Sequence, residues 1–137
     1  MANVLSDAVR RLVDEDNPAV LATVNPDGSP QSSVVWVGRD GDDLLVSSQE
    51  GRRKVLNVLR DPRVSLSLYD RNDPLWYLEV RGKCTVAEDE GRALAVALAE
   101  KYEGTGAGEE YLRLPAQIVR VVMRISPEKV VGTAAQA

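Results

Sequence analysis

The chain has 137 residues, 44% of them apolar, and a formal net charge of −4, enough for one domain with its own core; residues 1–137 are expected to form that single domain. The acidic balance argues against a nucleic-acid surface, which presents a basic face. One cysteine, Cys84, and no histidine exclude a disulfide framework, Ser-His-Asp and Cys-His nucleophiles, and His- or thiolate-ligated metal centres. No spaced Asp/Glu motif supports a metal either, so enzymatic chemistry here is expected to sit in an organic cofactor. Met1 leads into an amphipathic pattern rather than a signal sequence, and no apolar run reaches the ~18 residues of a membrane span. A soluble, cytoplasmic protein is expected, with neither membrane nor nucleic acid as partner.

Residues 3–16 set Val4, Leu5, Ala8, Val9, Leu12 and Val13 at helical spacing, and Asn17-Pro18 ends that helix. Ala19–Val24 reads as a buried strand, Asn25-Pro26-Asp27-Gly28 as a turn, and Pro30–Val37 as the second strand of a hairpin. A polar turn over 39–43 precedes a third strand, Leu44–Ser48. A short helix is expected over 52–60. Val64, Leu66 and Leu68 then alternate with Ser65 and Ser67, the period of a strand with one face inward, closed by Tyr69. A loop over 70–74 leads to a longer strand, Trp76–Val86, that Gly82 interrupts where a barrel bends or bulges. Asp89 and Glu90 open a helix running to about Glu103, their acids suited to its positive N-terminus. A loop over 104–108 and a helical turn over 109–114, stopped by Pro115, carry no recognisable code. Val119–Ile125 alternates as the last long strand, with Val130-Val131 beyond Pro127.

The stretch from Ser47 to Arg63 breaks a local rule. Residues 51–63 hold five Arg or Lys against one acid, Asp61, and Arg52, Arg53 and Lys54 fall in the first turn of the 52–60 helix. The macrodipole and the unpaired N–H groups already make the field positive there, so a helix selected only to fold would carry Asp or Glu. A phosphate would reverse the penalty by accepting from the free N–H groups, the Ser47 and Ser48 hydroxyls and the basic side chains. Two readings stand at this point: a phosphate clamp, or three basic side chains directed into water at a surface helix end. The pattern as a whole points to a mainly β (α+β) chain, a six-stranded antiparallel barrel with peripheral helices. Strands apolar on both faces, such as Ser33–Val37 and Ile118–Ile125, leave more apolar surface than one core can bury, and a dimer would cover it.

Five segments then carry a resemblance. They are Ala22-Thr23-Val24 before Asp27-Gly28-Ser29-Pro30; Val35-Trp36-Val37; Gly51-Arg52-Arg53-Lys54 with Asn57 to Val64; Tyr77 to Gly82; and Arg124 to Val130. In that order the chain resembles, nearly end to end, the split-barrel flavin-binding proteins related to pyridoxamine 5'-phosphate oxidase, especially the branch using the deazaflavin coenzyme F420. The resemblance implies an FMN-binding split-barrel fold and a homodimer with the cofactor in a groove between subunits. It implies phosphate binding by Arg52 and Lys54, with Ser47, Ser48 and the neighbouring Arg53 assisting and Asn57 bracing the turn. Gln31–Trp36, including Ser32, Ser33, Val35 and Trp36, would border the ring system. Trp36 reads equally as ring contact or interface aromatic, and Trp76 and Tyr77 equally as substrate contacts or barrel-end packing. The activity implied is hydride transfer from reduced F420 to a small electron-poor acceptor such as a conjugated carbonyl, a tetrapyrrole or a quinone. Tyr77, Tyr69 or water would supply the proton, and no catalytic side chain is assigned. The alternatives are an FMN-dependent oxidase of pyridoxamine-phosphate type and a non-catalytic flavin or F420 binder.

Overall fold

Alternation of apolar and polar residues along the strands builds one antiparallel sheet, and the order of its strands makes it curl. The computed structural model describes residues 5–136; Val4, placed on the first helical stripe by the sequence, lies outside them. The elements are α1 (Asp7–Asp14), β1 (Ala19–Val24), β2 (Pro30–Val35), β3 (Val37–Asp40), β4 (Asp43–Gln49), α2 (Arg53–Arg60), β5 (Arg63–Asp70), β6 (Asp73–Glu88), α3 (Ala93–Glu103), α4 (Glu109–Leu112) and β7 (Arg120–Val131). The sheet runs β2-β1-β5-β6-β7-β4-β3. Its two edges are consecutive in sequence and only Trp36 separates them, so the end of β2 and the start of β3 stand within about 7 Å of each other. A seven-stranded sheet meets that constraint only by curling into a barrel that stays split between β2 and β3.

Seven strands replace the expected six because Pro30–Val37 divides at Trp36. Val35 and Val37 are both buried, so the period of two runs on across the break. What changes is the partner: Val35 pairs with Ala19 of β1 and Val37 with Val46 of β4. Trp36 faces the ring of Tyr102 in α3 instead, stacked at 5.5 Å between centroids.

The expected loop over 70–74 is a tight turn, with β6 starting at Asp73. Asp70 accepts the Asn72 N–H at 2.8 Å, and the register slips between Tyr69 and Asp70, leaving Pro74 where no ladder bond is asked of it. The last strand likewise runs through Pro127 to Val131. There the register shifts between Arg81 and Gly82, the irregularity the sequence marked at Gly82. A Cβ on Gly82 would stand 2.1 Å from the Ser126 carbonyl oxygen.

Inside the barrel Leu21, Leu66, Leu68, Leu78, Val46, Met123 and Ile125 are fully enclosed. The amphipathic α1 closes one side with Val9, Leu12 and Val13. Helix α3 packs on β3, where Gly38 leaves room for Leu98: a Cβ there would meet Leu98 Cδ2 at 3.2 Å. Among the described residues no helix is long and apolar enough to cross a membrane.

Candidate functional site

Helix α2 begins where β4 ends, after a turn in which Gly51 takes φ 91°, a conformation that favours glycine. Arg52 is the N-cap and offers no side-chain cap bond, and the first turn holds no acid. Helices α1 and α3 differ. Ser6 caps α1 by accepting from the Val9 N–H, and both carboxylate oxygens of Asp89 accept N–H groups at the start of α3, from Leu94 at 3.0 Å and Ala95 at 2.9 Å. The donors at the start of α2 are thus left for something else.

Lys54, in that first turn, reaches across the barrel split and donates to Ser33 Oγ at 3.3 Å. Burial lowers its ammonium pKa below the usual lysine value, and the charges of Arg52 and Arg120 lower it further. Many arginines elsewhere pair with carboxylates, Arg39 with Asp14 and Arg63 with Asp61 among them. Among the described residues Arg52, Arg53, Lys54 and Arg120 make no such pair. Lys54 lines a cavity of about 200 Å³ together with Val35, Trp36, Ser47, Tyr111 and Arg120. Half-buried cations, serine hydroxyls and an uncapped helix end meet here, with no carboxylate among the residues that line the cavity.

One buried and one half-buried network flank this site. Asn57 is fully buried; its amide donates to Thr23 Oγ1 at 2.9 Å and Asn25 Oδ1 at 3.1 Å, and its carbonyl accepts from Arg60. It ties α2 to the β1–β2 hairpin and so sets the span from Lys54 to Ser33. On the other side Tyr102 accepts the Val37 N–H and donates to the Asn17 carbonyl. Lys101 donates to the carbonyls of Val13 and Val37, both at 2.6 Å, and burial lowers its pKa to about 8. Together they hold the bend at Trp36.

Comparison with known proteins gives this arrangement a lineage. Residues 5–134 match the family described as pyridoxamine 5'-phosphate oxidase. The chain belongs to that family. Among solved structures it is similar to an F420 reductase, at 28% identity over 89% of this chain and 94% of that one, with a TM-score of 0.74. A conserved hypothetical protein from Mycobacterium tuberculosis is 26% identical over 93% of this chain and 83% of its own, with a TM-score of 0.73. A heme storage protein from Vibrio cholerae shares the fold at 18% identity, 95% coverage of both chains and a TM-score of 0.66. The pyridoxamine 5'-phosphate oxidase fold therefore carries more than one kind of function, and the site decides between them.

Of the residues singled out from sequence, Lys54, Ser33, Ser47, Val35 and Trp36 come together in this family member, with exposed Arg52 and Arg53 at the helix start. Others stand apart. Ser48 points to the buried face of β4, opposite to Ser47, because neighbours on a strand face opposite ways. Asn57, on the buried face of α2, bonds to the β1–β2 hairpin and does not line the cavity. Ser32 faces out beside Ala22. Trp76 packs against the barrel core and lines a surface cavity with Ala8 and Leu12 of α1, and Tyr77 lies opposite Tyr69 across β5 and β6, both tyrosines exposed. Sequence reasoning missed Arg120 and Tyr111: Arg120 read only as an alternating polar position, and Tyr111 lay in a stretch without pattern.

Proposed function

We propose that this chain is a flavin- or deazaflavin-dependent oxidoreductase using reduced F420, and that the start of α2 holds the cofactor's phosphate. The observation that carries the reading is Lys54, a half-buried cation repelled by its neighbours and bonded only to a serine hydroxyl. The residues present fit a phosphate-bearing cofactor. Free N–H groups at the α2 start, Lys54, Arg52 and Ser47 would take the phosphate oxygens, while Val35 and Trp36 offer an apolar wall to a ring. Bound there, the cofactor supplies the hydride, and the protein's part is to fix its orientation against a small electron-poor acceptor and to exclude water. The similarity to an F420 reductase over 89% of the chain supports F420 over FMN.

The reading includes a homodimer. The outer face of β2, β1, β5 and β6 exposes Val34, Val20, Tyr69 and Tyr77 beside small residues such as Ser32 and Ala22. A second copy laid on this face would bring its own residues to the rim of the Trp36 cavity.

Fluorescence titration with F420 and FMN side by side tests the reading. Tight binding of F420 without FMN, together with turnover of an electron-poor carbonyl or quinone, is the expected result. FMN binding alone overturns the F420 assignment in favour of an FMN enzyme, and F420 binding without turnover of any acceptor overturns the enzymatic one.

A further inference from the structure

We infer that Arg120, the first residue of β7, is a further anion-binding residue that grips the phosphate from within the cavity it lines together with Lys54. The inference rests on the reading that this cavity receives a phosphate, and it adds a contact from a strand that begins 66 residues after Lys54 in sequence.

Arg120 stands on the outer face of β7, opposite Gln49 in the register. One terminal nitrogen of its guanidinium donates to Ser47 Oγ at 2.9 Å, and the group lies 5.0 Å from the centre of the Tyr111 ring. Its Nε–H is buried with no acceptor. An enclosed donor of this kind is destabilising unless something accepts from it, and few native structures tolerate one without a reason. The guanidinium carries five donors in a planar fork that matches two oxygens of a phosphate, and the protein itself engages it through one serine.

The local field gives the same answer. Burial lowers the Arg120 pKa, and Arg52 and Arg92 lower it further, while Tyr111 and Asp89 act the other way. Asp89 is already committed, since both its oxygens accept N–H groups of α3. Arg120 and Lys54 therefore face one cavity with hydroxyls and no free carboxylate between them.

Stacking on Tyr111 would explain a flat side chain at this position, but not a charged one with an unmet donor. The stack instead holds the fork in place. Tyr111 belongs to a segment that Arg92 fastens: its guanidinium donates to the carbonyls of Tyr111 at 2.8 Å, Leu114 at 2.7 Å, Pro115 at 2.7 Å and Ile118 at 2.9 Å. Arg92 does so from a left-handed backbone conformation, φ 56°, uncommon for a residue with a side chain. The rigid segment keeps Arg120 in the cavity rather than free to swing into solvent.

Nuclear magnetic resonance of the ¹⁵N-labelled full chain during titration with inorganic phosphate separates the inference from the reading beneath it. Shifts in the backbone amides of Arg53, Lys54 and Val55 report the clamp at α2; a shift of the Arg120 Nε–H with the same midpoint reports the grip proposed here. Movement of both is the expected result. Movement of the α2 amides with an unmoved Arg120 Nε–H overturns the inference and leaves the clamp standing, and no movement at α2 overturns the clamp. In the same titration Arg120→Gln is expected to weaken phosphate binding at least tenfold and Arg120→Lys to restore part of the loss. Equal affinity in wild type and a folded Arg120→Gln protein also overturns the inference.

Discussion

Replacing Lys54 by Met is expected to make the protein more stable while disabling it. The ammonium is half-buried, its pKa lowered by desolvation first and then by Arg52 and Arg120, and its one bond is the 3.3 Å contact to Ser33 Oγ. Much of the penalty is screened by the solvent that still reaches the side chain, which leaves about 0.5–1 kcal/mol to be recovered by an uncharged chain of similar length. For a domain of this size that raises Tm by roughly 1–4 °C. The sign depends on pH in a defined way. The folded pKa lies below the ordinary 10.5, so the unfolded chain binds the proton more tightly, and wild-type stability rises as pH climbs through the folded pKa toward 10.5. The variant's advantage is therefore greatest below that window and fades across it. Cofactor affinity moves the opposite way: losing charged hydrogen bonds worth about 1.5–3 kcal/mol weakens binding roughly tenfold to a hundredfold. Thermal unfolding of both proteins without cofactor from pH 7 to 10.5, with a fluorescence titration of each, measures both effects. A variant that melts lower than wild type, or binds cofactor equally well, refutes the reasoning.

Four other substitutions or probes follow from the same geometry. Gly82→Ala forces a Cβ to within 2.1 Å of the Ser126 carbonyl oxygen, a backbone atom at the bulge, and denaturant unfolding is expected to show a loss of about 3 kcal/mol or more. Asn57→Ala removes three bonds from a fully buried amide, for about 2–3 kcal/mol of lost stability and a weaker cofactor complex, since α2 is no longer tied to the hairpin; an unchanged Tm would show those bonds to be idle. Burial pushes the Cys84 thiol up to about 12, so a thiol reagent at pH 8 should label it only after denaturation. Val34→Asp puts a charge on the most exposed valine of β2, 78% accessible, and is expected to shift the sedimentation of a dimer to that of a monomer; an unshifted dimer would move the interface elsewhere.

How much of this was legible in the sequence differs from element to element for physical reasons. Strand β5 declared itself because Val64, Leu66 and Leu68 face one way and the serines between them the other. The bulge at Gly82 was marked by the glycine itself. The division at Trp36 left no mark, because Val35 and Val37 stay on the buried side while the neighbouring strand changes. Pattern reports which face a residue takes, not which strand it pairs with. The charge anomaly at Arg52–Lys54 was readable because helix ends obey a local electrostatic rule, and the structure leaves that end uncapped. Ser48 was separable from Ser47 by strand period alone. Arg120 was not separable from any other polar residue on β7, since its meaning comes from Ser47, Tyr111 and Lys54, which only the curled sheet brings around it.

A crystal structure of the protein with F420 tests the central claim most directly. The phosphate is predicted to lie against the first turn of α2, with oxygens about 2.8 Å from Lys54 Nζ and the backbone N–H groups. A phosphate bound elsewhere, with Lys54 still resting on Ser33, would contradict the account.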